Sequence, residues 1–106
     1  MATVIVKPGI CGFEARIVAQ SNEDFEVTLS ITSECAHIRQ LAEQLTCLSP
    51  FKEVRAPMPA TSVYQAAGAC KLHAACPVPC GVLKAMEVAA GLALPAEVSI
   101  QISRDA

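Results

Sequence analysis

Two alternating runs close together constrain this chain more than any other feature. Over residues 13–20, Phe13, Ala15, Ile17 and Ala19 share one face, with Glu14, Arg16 and Gln20 on the other. Over residues 25–32, Phe25, Val27, Leu29 and Ile31 alternate with Glu26, Thr28, Ser30 and Thr32. A period of two is strand geometry. Between the runs, Ser21, Asn22, Glu23 and Asp24 are turn formers. A hairpin is the expectation. Both apolar faces use odd-numbered positions, so odd must pair with odd. A slip of one residue would turn one apolar set to solvent.

That parity carries down to two cysteines. A three-residue turn sets Cys11 opposite Cys35, and a five-residue turn leaves them neighbours. In either register they meet at one end of the sheet, at loop junctions. The other cysteines are Cys47, Cys70, Cys76 and Cys80.

The rest of the chain supplies partners for the hairpin. Residues 3–7 form a β-branched strand, broken by Pro8 and Gly9. Ser33 reads as a helix N-cap, with Glu34 in the first turn, where the dipole favours a carboxylate. That helix is expected to run to about Cys47, burying Ile38, Leu41, Ala42, Leu45 and Leu48, and to stop at Pro50. Residues 49–60 carry Pro50, Pro57 and Pro59 and read as a loop. Thr61 and Ser62 open a second helix reaching Cys70. A third begins at Cys76 and Pro77 and runs to Gly91 or Leu94, with Val82, Leu83, Met86, Ala89, Ala90 and Leu94 inward. Residues 97–104 alternate again, Val98, Ile100 and Ile102 against Ser99, Gln101 and Ser103, as a last strand.

The expected fold is a single α+β domain over residues 1–106. It is a two-layer sandwich of order βββαααβ, with a four-stranded, mostly antiparallel sheet. One face of each strand is polar, so the helices cover a single face.

Composition narrows the function classes. The 106 residues carry a net charge of −2, which argues against nucleic acid, a ligand that needs a basic footprint. Charged residues are only 17%, so some apolar surface stays exposed and a homo-oligomer or protein partner is expected. There is no Trp, and Tyr64 is the one tyrosine, which leaves little for stacking on bases or sugars. No apolar run is long enough to span a membrane. The first residues read as a strand, not a signal peptide. A cytoplasmic, reducing setting follows, where six cysteines are free thiols, metal ligands or redox groups rather than a disulfide framework.

Cysteine also simply fills space in many cores. Cys47, late in a helix beside the buried stripe, reads as core. Cys70, among Ala66, Ala67, Gly68 and Ala69, reads as packing. His37 reads as a solvated helix-surface residue. His73, three residues before Cys76, is either a loop residue or part of a site. That leaves Cys11, Cys35, Cys76 and Cys80.

Cys35 and Cys76 each lie at a helix start, where free N–H groups favour a thiolate. Pro77 and Pro79 have no N–H, so Val78 and Cys80 supply the donors there, and Cys76 could accept from Val78. Cys80 is four residues on, along the same helix face. Four thiolates are a soft ligand set suited to zinc or an iron–sulfur cluster. Metal ligation by Cys11, Cys35, Cys76 and Cys80 is therefore the first expectation. No Walker loop, dinucleotide fingerprint or Ser-His-Asp order is present.

A resemblance supplies the alternative. Cys76, Pro77, Val78 and Pro79, the helix containing Leu83, Lys84 and Ala85, and the run from Val98 to Ile102 resemble the core of TusA-like (SirA-like) sulfur carriers. The resemblance covers residues 76–102. In that family the motif follows the first strand, whereas here three strands and two helices precede it. The resemblance implies a persulfide carried on Cys76. A third class is an interaction domain with unligated thiols, presenting a polar sheet face through Glu14, Arg16, Thr28, Ser30, Ser99 and Gln101.

Overall fold

The computed structural model describes residues 1–105. Three strands, β1 (Ala2–Val6), β2 (Ala15–Ser21) and β3 (Val27–Ser33), run antiparallel in sequence order. The hairpin register pairs Ala15 with Ser33, Ile17 with Ile31 and Ser21 with Val27, so odd does pair with odd. The connection is the five-residue one. Asn22 holds it together by accepting from the Asp24 and Glu26 amides on Oδ1, at 2.9 and 3.0 Å. Ala15, Ile17 and Ala19 of β2 and Val27, Leu29 and Ile31 of β3 are buried, while Arg16, Gln20, Thr28, Ser30 and Thr32 face out.

Both strands are shorter than the alternation. Phe13 precedes β2 and is exposed. Phe25 adopts a left-handed φ of 59° in the turn, which takes it off the inner face. Its ring packs on Phe51 instead, with centroids 6.3 Å apart. The turn's backbone geometry overrode the period.

The helices lie over one face. Helix α1 (Ala36–Gln44) covers β3, and α4 (Val78–Ala89) covers β1 and β2. Helix α3 (Ser62–Ala69) touches both α1 and α4. The α+β sandwich is as expected. The core joins Ile17, Leu41, Val63, Val78, Val82 and Met86 across the two layers.

Several details differ from the sequence reading. Cys35, not Ser33, is the N-cap of α1, and Ser33 Oγ instead accepts from the Cys35 amide at 3.2 Å. Helix α1 ends at Gln44, and Cys47–Leu48 form β4, pairing with Val27 and Thr28. The fourth strand therefore comes from the middle of the chain. Residues 49–60 are not a loop: α2 (Pro50–Arg55) and a 3-10 turn (Met58–Ala60) fill them. Pro50 starts α2 rather than merely ending α1, because a proline at the first helical position gives up an N–H that would be unpaired anyway. Thr61 caps α3 as the sequence suggests, accepting from the Tyr64 amide on Oγ1 at 3.1 Å.

Residues 97–104 belong to no sheet. Val98, Ile100 and Ile102 are 56, 73 and 89% exposed, and Leu94, expected inside, is also exposed. The described residues span 52 Å along one axis but only 27 and 25 Å along the others. No helix among them is long and apolar enough to cross a membrane.

Candidate functional site

The hairpin register decides where two cysteines go. Ala15 and Ser33 form the last ladder pair, and Ser33 Oγ donates to the Glu14 carbonyl at 2.8 Å just beyond it. Cys35 follows directly and is half-buried. Its carbonyl accepts from the Arg39 amide, while Arg39 Nε donates to the Ser33 carbonyl at 2.9 Å. Cys11 is exposed on the loop that joins β1 to β2 at this same end. Gly9 and Gly12 flank it with φ of 91° and 74°, and the Gly12 amide closes a turn onto the Gly9 carbonyl at 3.0 Å. Left-handed φ at both positions is what glycine permits and other residues resist.

The start of α4 comes to that end as well. A Cβ on Gly81 would lie 2.5 Å from Val6 Cγ2, at the close of β1, and 3.4 Å from Ile17 Cδ1. The first turn of α4 thus presses on β1 and β2 where they enter the cysteine-bearing loops. Cys76 lies just ahead of the helix, whose N-cap is Pro77 and whose first residue is Val78. Its amide donates to the His73 carbonyl at 3.1 Å.

Burial is the main cause that pushes the Cys76 thiol up from its ordinary value, and the charges of Cys11 and Cys35 push the same way. A hydrogen bond from the Val78 amide pulls it down without cancelling the rise. Pro77, not Cys76, is the N-cap of α4, and desolvation of the anion outweighs the pull of the Val78 amide. Tyr64 is also raised, by burial first and then by Cys80 and Cys76. Three segments therefore bring Cys11, Cys35 and the start of α4 to one end, and Tyr64 shares a groove with Cys80.

The arrangement stops short of a closed coordination sphere. Among the described residues no three His, Cys, Asp or Glu side chains are grouped closely enough to hold a metal ion. Cys80 is exposed and lines a groove of about 360 Å³ with Tyr64, Thr61, Glu53 and Lys84. All six cysteines are free thiols.

The remaining candidates sort differently from the sequence reading. Cys70 is buried at the C-cap of α3, as expected for packing. Cys47 is not core: it is exposed on β4, and its thiol donates to Glu26 Oε2 at 3.2 Å. Slight desolvation and that carboxylate push its thiol up. The cause of the misreading is the early end of α1, which removes Cys47 from the helical stripe. His37 is exposed but tied down, donating from Nδ1 to the Cys70 carbonyl at 3.0 Å, so it joins α1 to α3. His73 is exposed and contributes only its carbonyl near Cys76.

Two residues of this region escape sequence reasoning. Tyr64 reads as an ordinary helix position. Glu53 is only 3% exposed, and its Oε2 accepts from the Ser62 amide at 2.9 Å, adding a second support to the start of α3. Oε1 has no partner. The signal for Glu53 was Pro50, which marks a helix start at which a first-turn carboxylate belongs.

No curated protein and no solved structure matches this chain. A family model spanning residues 2–102 does, and it covers both the thiol-bearing loops and the helix start. On that match, the chain belongs to a family of unknown function (DUF6951).

Proposed function

We propose that this domain is a small cysteine-thiolate module that takes up a soft metal, zinc or iron in an iron–sulfur cluster, through Cys11, Cys35 and Cys76, with Cys80 as the fourth ligand. The supporting observation is that Cys11, Cys35 and the start of α4 that follows Cys76 come from three separate segments to one end of the sheet. Like charges gathered in a half-buried spot oppose ionisation, and a divalent cation reverses that opposition. The loop carrying Cys11 is a short turn between β1 and β2, Cys35 is the N-cap of α1, and Cys76 directly precedes the N-cap of α4. Cys80 lies in the first turn of α4, four positions after Cys76, and is the nearest further thiol in sequence. A reducing compartment is the setting in which such thiols stay available.

The test is metal titration of anaerobically reduced protein with cobalt(II) as a spectroscopic stand-in for zinc, beside reconstitution with iron and sulfide. Stoichiometric binding with a thiolate-to-cobalt absorption band and proton release is expected. Cys11→Ser, Cys35→Ser or Cys76→Ser should abolish tight binding, whereas Cys47→Ser should not. Binding that survives Cys76→Ser, or no binding by the reduced protein, overturns the reading.

A second reading has its own observation. Cys76 sits just ahead of a proline-flanked helix start, where the Val78 amide favours a negative charge on its sulfur, as a carried persulfide would need. In that case Cys76 attacks the outer sulfur of a donor persulfide, the donor leaves as its thiolate, and Cys76 keeps the sulfane sulfur. Incubation with a persulfide donor followed by intact mass would show one added sulfur, lost in Cys76→Ala.

A further inference from the structure

Two unsatisfied features of this fold match each other. The first is the outer edge of β1. The sheet order leaves β1 with β2 on one side and no strand on the other. The opposite edge is stepped: β4 pairs only with Val27 and Thr28 of β3, and Arg39 covers the far end of β3 by donating to the Ser33 carbonyl, so little continuous edge is left to pair with. β1 has five residues and no such protection. Its inward positions are also less covered than those of its neighbour. Ala15, Ile17 and Ala19 of β2 are essentially sealed, whereas Val4 is only half-buried and Ile5, on the outer face, is half-exposed.

The second feature is the segment 97–104. Its strict alternation of Val98, Ile100 and Ile102 with Ser99, Gln101 and Ser103 is strand chemistry, and its backbone joins no strand among the described residues. All of its residues are exposed, in a molecule whose described residues span 52 Å along one axis. Three large β-branched side chains held in water in that pattern are what an added strand presents before it docks. The match to the family model runs from residue 2 to residue 102, so β1 and the tail as far as Ile102 lie within the family's domain.

We propose that this chain forms a two-fold dimer by strand exchange, in which residues 97–104 of each copy add as a fifth strand to the outer edge of β1 of the other. Two-fold symmetry uses each tail and each edge once per copy and leaves no unpaired β1 edge in the assembly. Val98, Ile100 and Ile102 turn toward Val4 and the flank of α4, and Ser99, Gln101 and Ser103 continue the polar outer face. The six residues that separate Gly91 from Val98 span about 20 Å when extended, enough to cross to a second copy.

The test is the mass of the full chain in solution, by light scattering on a sizing column at several concentrations, with Ile100→Pro as the disrupting variant. Ile100 is exposed in the single copy, so the substitution leaves the globule intact while removing a strand N–H. The expected result is a particle of twice 11.1 kDa for the parent chain and of 11.1 kDa for Ile100→Pro. Amide exchange in β1 should be slow in the parent and faster in the variant. A parent chain that stays monomeric at every concentration overturns the proposal, as does a dimer that survives Ile100→Pro. A monomer with a protected β1 edge would mean that the tail pairs within its own chain, and open-ended oligomers would mean head-to-tail addition. Either result also overturns it.

Discussion

Gly81 offers the sharpest check on how α4 is seated. It is the fourth residue of α4, where glycine costs helix stability relative to alanine. Alanine would ordinarily gain about 1 kcal/mol there. The fold opposes that gain. The new methyl would lie 2.5 Å from Val6 Cγ2, with Ile17 Cδ1 at 3.4 Å and Val4 Cγ1 at 3.5 Å. Carbon atoms do not approach to 2.5 Å, and Val6 is stiff at χ1, so it cannot swing aside. Helix or strand must shift, and overpacking of this kind costs about 1–3 kcal/mol. The net expectation for Gly81→Ala is a loss of about 0–2 kcal/mol.

Gly68→Ala is the internal control. Gly68 is also helical, in α3, but a Cβ there meets nothing within 4 Å. It should gain the full propensity term of about 1 kcal/mol. The difference between the two variants isolates the contact on Val6 at about 1–3 kcal/mol. Urea unfolding measures it, with midpoints converted through a common slope. In a domain of this size 1 kcal/mol moves the melting temperature by about 4–8 °C, so a thermal scan reads it too. If Gly81→Ala stabilises as much as Gly68→Ala, with the slope unchanged, α4 does not press on β1. The approach of Cys76 to Cys11 then loses its geometric basis.

Further outcomes test the site and its support. Tyr64 is the one tyrosine and there is no tryptophan, so tyrosinate absorbance reports it alone. Its midpoint should lie above the ordinary tyrosine value and fall in Cys80→Ala and in Cys76→Ala; a midpoint indifferent to both would place the thiols elsewhere. Cys76 and Cys47 are both raised, so the folded chain holds those protons to higher pH than the unfolded chain does. Their stabilising contribution is complete below the ordinary thiol value of about 8.5 and is lost as pH rises through the raised values. Urea midpoints should therefore decline from neutral pH toward pH ~10, less steeply in Cys76→Ser, and an unchanged decline in that variant refutes the assignment. Thr61→Ala removes the cap of α3, and its Oγ1 also donates to the Met58 carbonyl at 2.9 Å. The expected loss is about 1–2 kcal/mol by urea unfolding, and a loss near zero would mean that the cap carries no weight.

Local pattern made much of the fold legible. The alternation in β2 and β3, the parity of their register and the start of α3 at Thr61 follow from periods and cap chemistry alone. The misreadings share one cause. Phe25, Cys47 and residues 97–104 each sit in a correct local pattern whose outcome depended on a partner. Phe25 left the inner face because a five-residue turn needed a left-handed residue and Phe51 gave the ring a place to pack. Cys47 left the helical stripe because the edge of β3 offered it a strand to join. The tail kept its strand period and found no edge within its own chain. In the site, helix starts at Cys35 and Cys76 were legible to within a residue or two. Tyr64 and Glu53 were not, since nothing in sequence brings α2 and α3 beside the first turn of α4.

Sequence by itself determined which residues alternate, which parity must pair, and that Cys11 and Cys35 lie toward the same end of a hairpin. These are consequences of a period-two backbone and of burying one face. Tertiary structure alone decided that Cys76 comes to the same end, through the close approach of Gly81 to Val6. It also decided that burial outweighs the helix-start amide at Cys76. Both depend on distances between segments far apart in the chain, and the free energy of an ionising thiol is set by what surrounds it in space.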